Sequence, residues 1–183
     1  MAHSDTHSHE HEADAACAVA HGEAAPPNGD RTLVAVFASP VAGYLLRFGA
    51  DLGFRGILLE PDPGLAVKVR AEEPAFEVTS GLPADLDGAA DVVVTDHHRP
   101  ELGTVLRDLL AAKSRWIGVM GKPYHPAPHE VALAGLGVPA EEIARVHRPI
   151  GLNIGSRTPP EIAVSTLAGL IADRNGRPGG FTF

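Results

Sequence analysis

The chain has 183 residues, of which 44% are hydrophobic and 21% are charged, so it is long enough to bury one sizeable core. Its 15 basic and 23 acidic residues give a formal net charge of -8, which disfavours nucleic acid and anionic lipid as partners. The single cysteine excludes a disulfide framework and a multi-cysteine metal site. No apolar run approaches the roughly 20 residues of a membrane span and no signal-peptide pattern is present, so a cytoplasmic protein is expected.

Residues 1–30 combine histidine with alanine and acidic residues and contain almost no large apolar side chains. This composition predicts a disordered tail, because such a segment cannot bury enough apolar surface to fold. The alternative is a loose nickel, zinc or copper site, since neutral imidazoles bind these metals without a fold. The tail histidines are His3, His7, His9, His11 and His21.

From residue 31 onward, short β-branched apolar runs alternate with longer helical segments. This pattern is typical of an α/β, Rossmann-like three-layer domain with a mostly parallel sheet, here assigned to residues 31–183. Strands are predicted at residues 32–38, 56–60, 76–80, 91–96 and 115–121. Helices are predicted at residues 40–52, 100–112, 128–136, 140–146 and, after a capping-box start at Thr158, up to about residue 174.

The first candidate ligand site follows the first two strands, because open α/β sheets bind ligands beyond the carboxyl ends of their strands. Phe37, Ala38, Ser39 and Pro40 stand where a dinucleotide-binding fold usually has a glycine-rich turn. Side chains there hold the backbone away from a pyrophosphate. Two interpretations stay open: Ser39 caps the next helix beside a degenerate or altered nucleotide site, or the site is retained. Glu60, about 20 residues further on, is placed to bind a ribose diol.

The fourth predicted strand ends at Asp96, and His97 and His98 follow it. Together these side chains can titrate near neutrality or bind a metal. Adjacent side chains point in different directions, so the preferred interpretation has one histidine in the cleft and the other packed or solvated. A complete zinc site needs ligands from elsewhere in the fold. The remaining candidates for it are His125, His129 and His147.

Two later segments are candidates for binding an anion. Gly121 and Lys122 follow the fifth predicted strand, where the lysine can meet an anionic ligand group. Residues 151–157 read GLNIGSR and precede the capped last helix, so they can offer backbone N–H groups and an arginine to a phosphate. The candidate residues of this second segment are Asn153, Gly155, Ser156 and Arg157.

Residues 116–121 (WIGVMG), 143–155 (IARVHRPIGLNIG) and 158–163 (TPPEIA) resemble the Rossmann domain of the XdhC/CoxI family. The resemblance covers about residues 31–180. It implies an accessory protein that binds molybdenum cofactor (molybdopterin) before its sulfuration and insertion into a molybdenum hydroxylase such as xanthine dehydrogenase or carbon monoxide dehydrogenase. The implied partners are the hydroxylase client and a sulfurtransferase.

The chain departs from this family pattern at several positions. The family's Gly-Ala-Gly-Pro turn falls on residues 37–40, its Gly-Ser-Arg-Arg falls on residues 121–124, and its Gly-Leu-Asp-Ile-Gly has Asn153 in place of the aspartate. Its acidic second-strand end matches Glu60. Full-length relatives carry an N-terminal domain with cysteine-containing motifs that residues 1–30 do not resemble. A stand-alone Rossmann half is expected, with a homodimer or a partner chain completing the site.

Three functions are therefore compared. The first is a non-catalytic cofactor-binding protein, with Lys122, Ser156 and Arg157 near the cofactor's phosphate and residues 96–98 near its pterin or metal. The second is an NAD(P)-dependent oxidoreductase with Glu60 at the ribose, which the altered first turn disfavours. The third is a metal-handling protein that uses the histidine-rich tail. No serine or cysteine nucleophile is paired with a base, so hydrolytic covalent catalysis is not expected.

Overall fold

A computed structural model of the chain describes residues 17–22, 24, 31–84, 86, 88–112, 114–121 and 127–180. Its strands are β1 (Arg31–Val36), β2 (Phe54–Leu59), β3 (Glu77–Thr79), β4 (Asp91–Val94), β5 (Trp116–Val119) and β6 (Val146–His147). Its helices are α1 (Pro40–Asp51), α2 (Pro63–Glu72), α3 (Leu102–Ala111), α4 (Pro128–Gly135), α5 (Ala140–Ile143) and α6 (Pro159–Arg174).

The six strands form one sheet in the order β3-β2-β1-β4-β5-β6, and every neighbouring pair is parallel. All carboxyl ends therefore lie at one edge of the sheet, here called the carboxyl edge. The chain builds outward from β1 to β3 and then returns to place β4 on the other side of β1. This reversal puts the ligand crevice of a doubly wound sheet between the ends of β1 and β4.

Helices cover both faces of the sheet, which confirms the predicted three-layer α/β fold. On one face, Leu33 of β1 packs with Leu45 of α1 and Leu167 of α6. On the other face, Val34 of β1 packs with Leu106 of α3 and Leu133 of α4. Successive side chains of β1 point to opposite faces of the sheet, and helices cover both faces. This explains the continuous apolar run in the sequence, because a strand covered on both sides buries its side chains on both faces.

Two elements differ from the prediction. The segment 140–146 was expected to be one helix, but α5 ends at Ile143 and Val146 pairs with Ile117 of β5. Strand pairing supplies a partner that local helix propensity does not reveal. Helix α2 was not predicted, although Asp62 caps it by accepting a hydrogen bond from the Leu65 N–H at 2.9 Å.

Most of the predicted tail, together with Lys122 and His125, lies outside the described residues. Within the tail, residues 17–20 form a single helical turn, which the His21 N–H closes on the Cys17 carbonyl at 3.0 Å. None of the helices in the described part of the chain is long and apolar enough to cross a membrane.

Candidate functional site

The turn after β1 keeps a backbone conformation that favours glycine but carries a large side chain. Phe37 has a φ of 70° and its ring is completely buried in the core shared with α3. Its N–H donates to the Leu59 carbonyl at 2.9 Å, which ties the turn to the end of β2. A residue whose ring is buried in the core therefore stands at the position where a dinucleotide-binding turn has glycine.

Ser39 closes the crevice between β1 and β4 and also begins α1. Its hydroxyl accepts a hydrogen bond from the Ala42 N–H at 3.0 Å, which confirms the predicted cap, and donates to Thr95 Oγ1 at 2.9 Å. The Thr95 hydroxyl in turn lies 2.9 Å from the Phe37 carbonyl. Pro40 occupies the first turn of α1, where its missing N–H costs nothing. The hydroxyl groups of Ser39 and Thr95, which lie where the strand order reverses between β1 and β4, are thus paired with each other and with the backbone.

Glu60 is fully buried, and both of its carboxylate oxygens are used inside the chain. One oxygen accepts from the Ala38 N–H at 2.7 Å and from Arg99 Nη1 at 3.1 Å. The other accepts from the Asp62 N–H at 2.9 Å and from Arg99 Nη2 at 2.9 Å. A ribose diol, the ligand expected from the sequence, would have to displace Arg99.

Arg99 was not recognised from the sequence, although it follows the Asp-His-His run after β4. Its guanidinium lies 4.8 Å from the ring centroid of Phe37 and also pairs with Glu101 at 3.3 Å. The hydrogen bonds with Glu60 are the main reason that the pKa of Arg99 is raised. Arg99 therefore links the loops after β1, β2 and β4 into one ionic network.

The two histidines of the loop after β4 differ in their exposure to solvent. Asp96 accepts a hydrogen bond from the His98 N–H at 2.9 Å, and the rings of His97 and His98 lie 4.2 Å apart. His97 is partly buried while His98 is exposed, which agrees with the preferred interpretation of the pair. Burial lowers the pKa of His97, and the nearby His98 and Arg148 lower it further, whereas Asp96 and the Met120 backbone oppose the shift.

His129 lies in the first turn of α4 and is only 2% exposed. Its Nδ1 atom is buried and has no hydrogen-bond partner in the described part of the chain. Burial lowers its pKa, and the positive charges of Arg148 and His97 act in the same direction, against Glu130. The sequence singled out His129 only as a zinc candidate.

Arg148, which sequence reasoning missed, follows β6 and lies against the backbone of Gly121 at the end of β5. A Cβ atom at Gly121 would stand 2.5 Å from the Arg148 Nε atom, so the guanidinium takes up the space that the missing side chain of Gly121 leaves. The neighbouring His147, another zinc candidate, instead stacks on Trp116 with 5.1 Å between ring centroids. Among the described residues, no group of three or more His, Cys, Asp or Glu side chains is arranged to hold a metal ion.

The loop 151–157 is anchored to α6. Ser165 donates to the Leu152 carbonyl at 2.5 Å and accepts the Leu152 N–H through its own carbonyl at 3.1 Å. Glu161 accepts from the N–H groups of Arg157 at 2.7 Å and Thr158 at 3.1 Å, and these bonds lower its pKa. The Arg157 N–H, one of the N–H groups expected to meet a phosphate, is therefore already paired with a carboxylate. Ser156 is partly buried, whereas the other candidates, Asn153, Gly155 and Arg157, are exposed.

Comparison with known proteins decides the family. The XdhC Rossmann domain matches residues 33–170, which is most of the chain. The chain belongs to this family. It is 39% identical over 75 residues to the uncharacterized protein YqeB of Escherichia coli K12, a stretch that covers 41% of this chain and 14% of that protein.

The XdhC Rossmann fold is also seen in a solved structure. The crystal structure of a xanthine dehydrogenase from Bacillus halodurans superposes with a TM-score of 0.63 and 24% identity, over 80% of this chain and 45% of that one. This similarity supports the fold. Both relatives are much longer than the part that this chain matches.

The buried histidines predict a pH dependence of stability. Because the pKa values of His97 and His129 lie below the ordinary 6.5 in the folded protein, the unfolded chain binds more protons on acidification. Their stabilising contribution is complete above about pH 6.5 and is lost as the pH falls through that value towards the folded pKa. Urea unfolding measured from about pH 7 to about pH 5 should show this loss.

The matched variants are His129→Gln, which removes a buried imidazole, and His98→Gln, which removes an exposed one. The same carboxylates are present in all three proteins, so the comparison with the wild type isolates the removed histidine. We expect His129→Gln to flatten the acid loss, and His98→Gln to retain most of it, since His98 is only the second cause of the lowered His97 pKa. An identical pH profile for wild type and His129→Gln would contradict the burial argument.

Proposed function

We propose that this protein is an accessory factor in the maturation of a molybdenum hydroxylase of the xanthine dehydrogenase type. In this proposal it holds a molybdopterin-type cofactor at the carboxyl edge, beyond β4, β5 and β6. Membership of the XdhC family supports the role. The observation that carries the location is the buried Nδ1 atom of His129, which has no hydrogen-bond partner among the described residues and lies near Arg148 and His97 at this part of the edge.

The residues at this location suit such a cofactor. A pterin offers hydrogen-bond donors and acceptors around its rings, which Asp96, His97 and His98 can match. Its phosphate suits the guanidinium of Arg148. Asn153, Gly155, Ser156 and Arg157 are proposed to line the same ligand from the loop before α6. When bound, the cofactor supplies molybdenum redox chemistry to the client, while this chain holds and orients it.

The other half of the carboxyl edge argues against an NAD(P)-dependent oxidoreductase. Glu60 is saturated by Arg99 and two backbone N–H groups, and the Ser39–Thr95 hydrogen bond spans the crevice. The ring of Phe37 occupies the position of a turn glycine. A dinucleotide bound in the usual way would have to break these interactions together, which supports placing the ligand beyond β4 to β6.

The proposed partners follow from the maturation role. An open α/β sheet binds its ligand in a crevice at one edge, and this chain spans 45% of the solved relative. We propose that the hydroxylase client, a sulfurtransferase or a second copy of the chain supplies the remaining wall. The same carboxyl edge would then be the surface from which the cofactor is transferred.

The direct test is mass spectrometry of the small molecules released when the purified protein is denatured. The protein is made in a host that synthesises molybdenum cofactor and in a matched host that does not. We expect a pterin in near-stoichiometric amount from the first host alone, retained by Arg145→Gln and lost in Arg148→Gln. A nicotinamide or flavin nucleotide, or no bound molecule from either host, would refute the proposal.

A further inference from the structure

The buried imidazole of His129 requires a partner. An unsatisfied polar atom inside a protein is destabilising, so such atoms normally face a bound group or an ordered water. His129 is 2% exposed and its Nδ1 has no partner among the described residues. The atom therefore indicates a position where a ligand group can make a hydrogen bond that the described residues do not supply.

The surroundings of His129 carry a fixed positive charge. The register of β4, β5 and β6 brings the residues after these strands side by side, because Val94 pairs with Val119 and Gly118 pairs with His147. These neighbouring residues are His97 after β4, Gly121 after β5 and Arg148 after β6. The Arg148 guanidinium lies in the space that a side chain at Gly121 would take, which places its N–H donors at this edge.

We propose that His97, His129 and Arg148 form a binding site for a tetrahedral oxyanion, either the phosphate group of an organic cofactor or a free inorganic oxyanion. The inference deepens the proposed function and rests on it only for the molecule that carries the anion. A guanidinium offers several N–H donors in a plane, and each imidazole can donate one more. A metal cation at the same position would be repelled by Arg148.

Two carboxylates oppose an anion at this site. Asp96 precedes His97 and directs one oxygen at the His98 N–H, and Glu130 is exposed beside His129. Their charges should weaken binding without preventing it, because solvent screens Glu130 and Asp96 is only partly buried. Removing the charge of Asp96 should therefore tighten oxyanion binding, whereas the same change would weaken a metal site.

The site should bind oxyanions more tightly as the pH falls. A bound oxyanion stabilises the protonated imidazoles of His97 and His129, so their protonation and anion binding favour each other. The other charged or titratable groups that face these two histidines are His98, Asp96, Glu130 and Arg148.

The experiment is a titration of the full ¹⁵N-labelled chain with inorganic phosphate, and separately with molybdate, followed through the histidine ring nitrogens by NMR. We expect saturable shifts of the His129 and His97 signals. Arg148→Gln should weaken phosphate binding about tenfold or more, since a charge-assisted hydrogen bond is lost. Asp96→Asn should strengthen it, and Arg145→Gln, which removes an exposed arginine paired with Glu142, should leave it unchanged.

The outcomes separate this site from the proposed function. Phosphate binding that depends on Arg148, in a protein that releases no pterin, would support the oxyanion site and refute cofactor delivery. Ring signals of His129 that do not respond to phosphate or molybdate would overturn the site even if a pterin is released. The oxyanion site would also be overturned if Arg157→Gln abolished phosphate binding while Arg148→Gln left it unchanged. The wild-type titration decides the matter even if Arg148→Gln fails to fold.

Discussion

Replacing Glu60 with alanine is expected to lower the free energy of unfolding by about 3–5 kcal/mol, because it removes the buried counter-charge of the Arg99 guanidinium and leaves it only the more exposed Glu101. Arg99 is 16% exposed and makes two hydrogen bonds to Glu60. The Ala38 and Asp62 N–H groups would lose the same acceptor. Since domains of this size are stable by about 5–15 kcal/mol, urea unfolding should detect the loss easily.

The matched control is Glu77→Ala, which removes the partner of Arg55 in an ion pair of similar geometry. That pair is nearly half exposed, so we expect a loss of about 0–1 kcal/mol. Equal losses in the free energy of unfolding for the two variants would show that burial does not make the Glu60 ion pair more stabilising than the exposed one. A stable Glu60→Gln variant that gains affinity for a nicotinamide dinucleotide would overturn the placement of the ligand beyond β4.

The layered α/β fold could be predicted because strand and helix signals are local. Continuous apolar runs mark strands covered on both faces, and β1 and β4 bury nearly every side chain. β6 could not be found in this way, since two residues carry no periodic pattern and the strand exists through its pairing with β5. The unpredicted helix α2 had a usable signal in Asp62 and Pro63, which match a capped helix start.

The candidate site was only partly predictable, because ligand sites depend on residues far apart in sequence. Counting from strand ends identified Ser39 and Glu60, and a serine before a proline is a local capping signal. The partner of Glu60 is 39 residues away, and nothing short of the packed fold shows that Arg99 reaches it. The grouping of His129 with Arg148 likewise required the order of β4, β5 and β6.

A second large effect is expected at the opposite edge of the sheet. Asp91, the first residue of β4, is completely buried and accepts hydrogen bonds at 2.6 Å from both Arg115 and Arg174. Arg174 also donates to the Ala89 carbonyl at 2.6 Å, so the carboxylate joins α6 to the start of the sheet. Asp91→Ala removes the buried carboxylate that Arg174 and Arg115 share and leaves Arg115 only the exposed Asp173, so it should cost about 3–5 kcal/mol in urea unfolding.

Asp173→Ala is the control for this variant, because Asp173 contacts Arg115 from a side chain that is 44% exposed. We expect Asp173→Ala to lower the free energy of unfolding by about 0–1 kcal/mol.

A substitution at Asp91 also tests whether the anion site depends on the carboxyl edge alone. Asp91 lies at the far end of β4, so the folded fraction of a destabilised Asp91→Asn protein should bind phosphate with wild-type affinity. Weakened phosphate binding by folded Asp91→Asn would mean that the anion site depends on the whole sheet rather than on His129 and its neighbours.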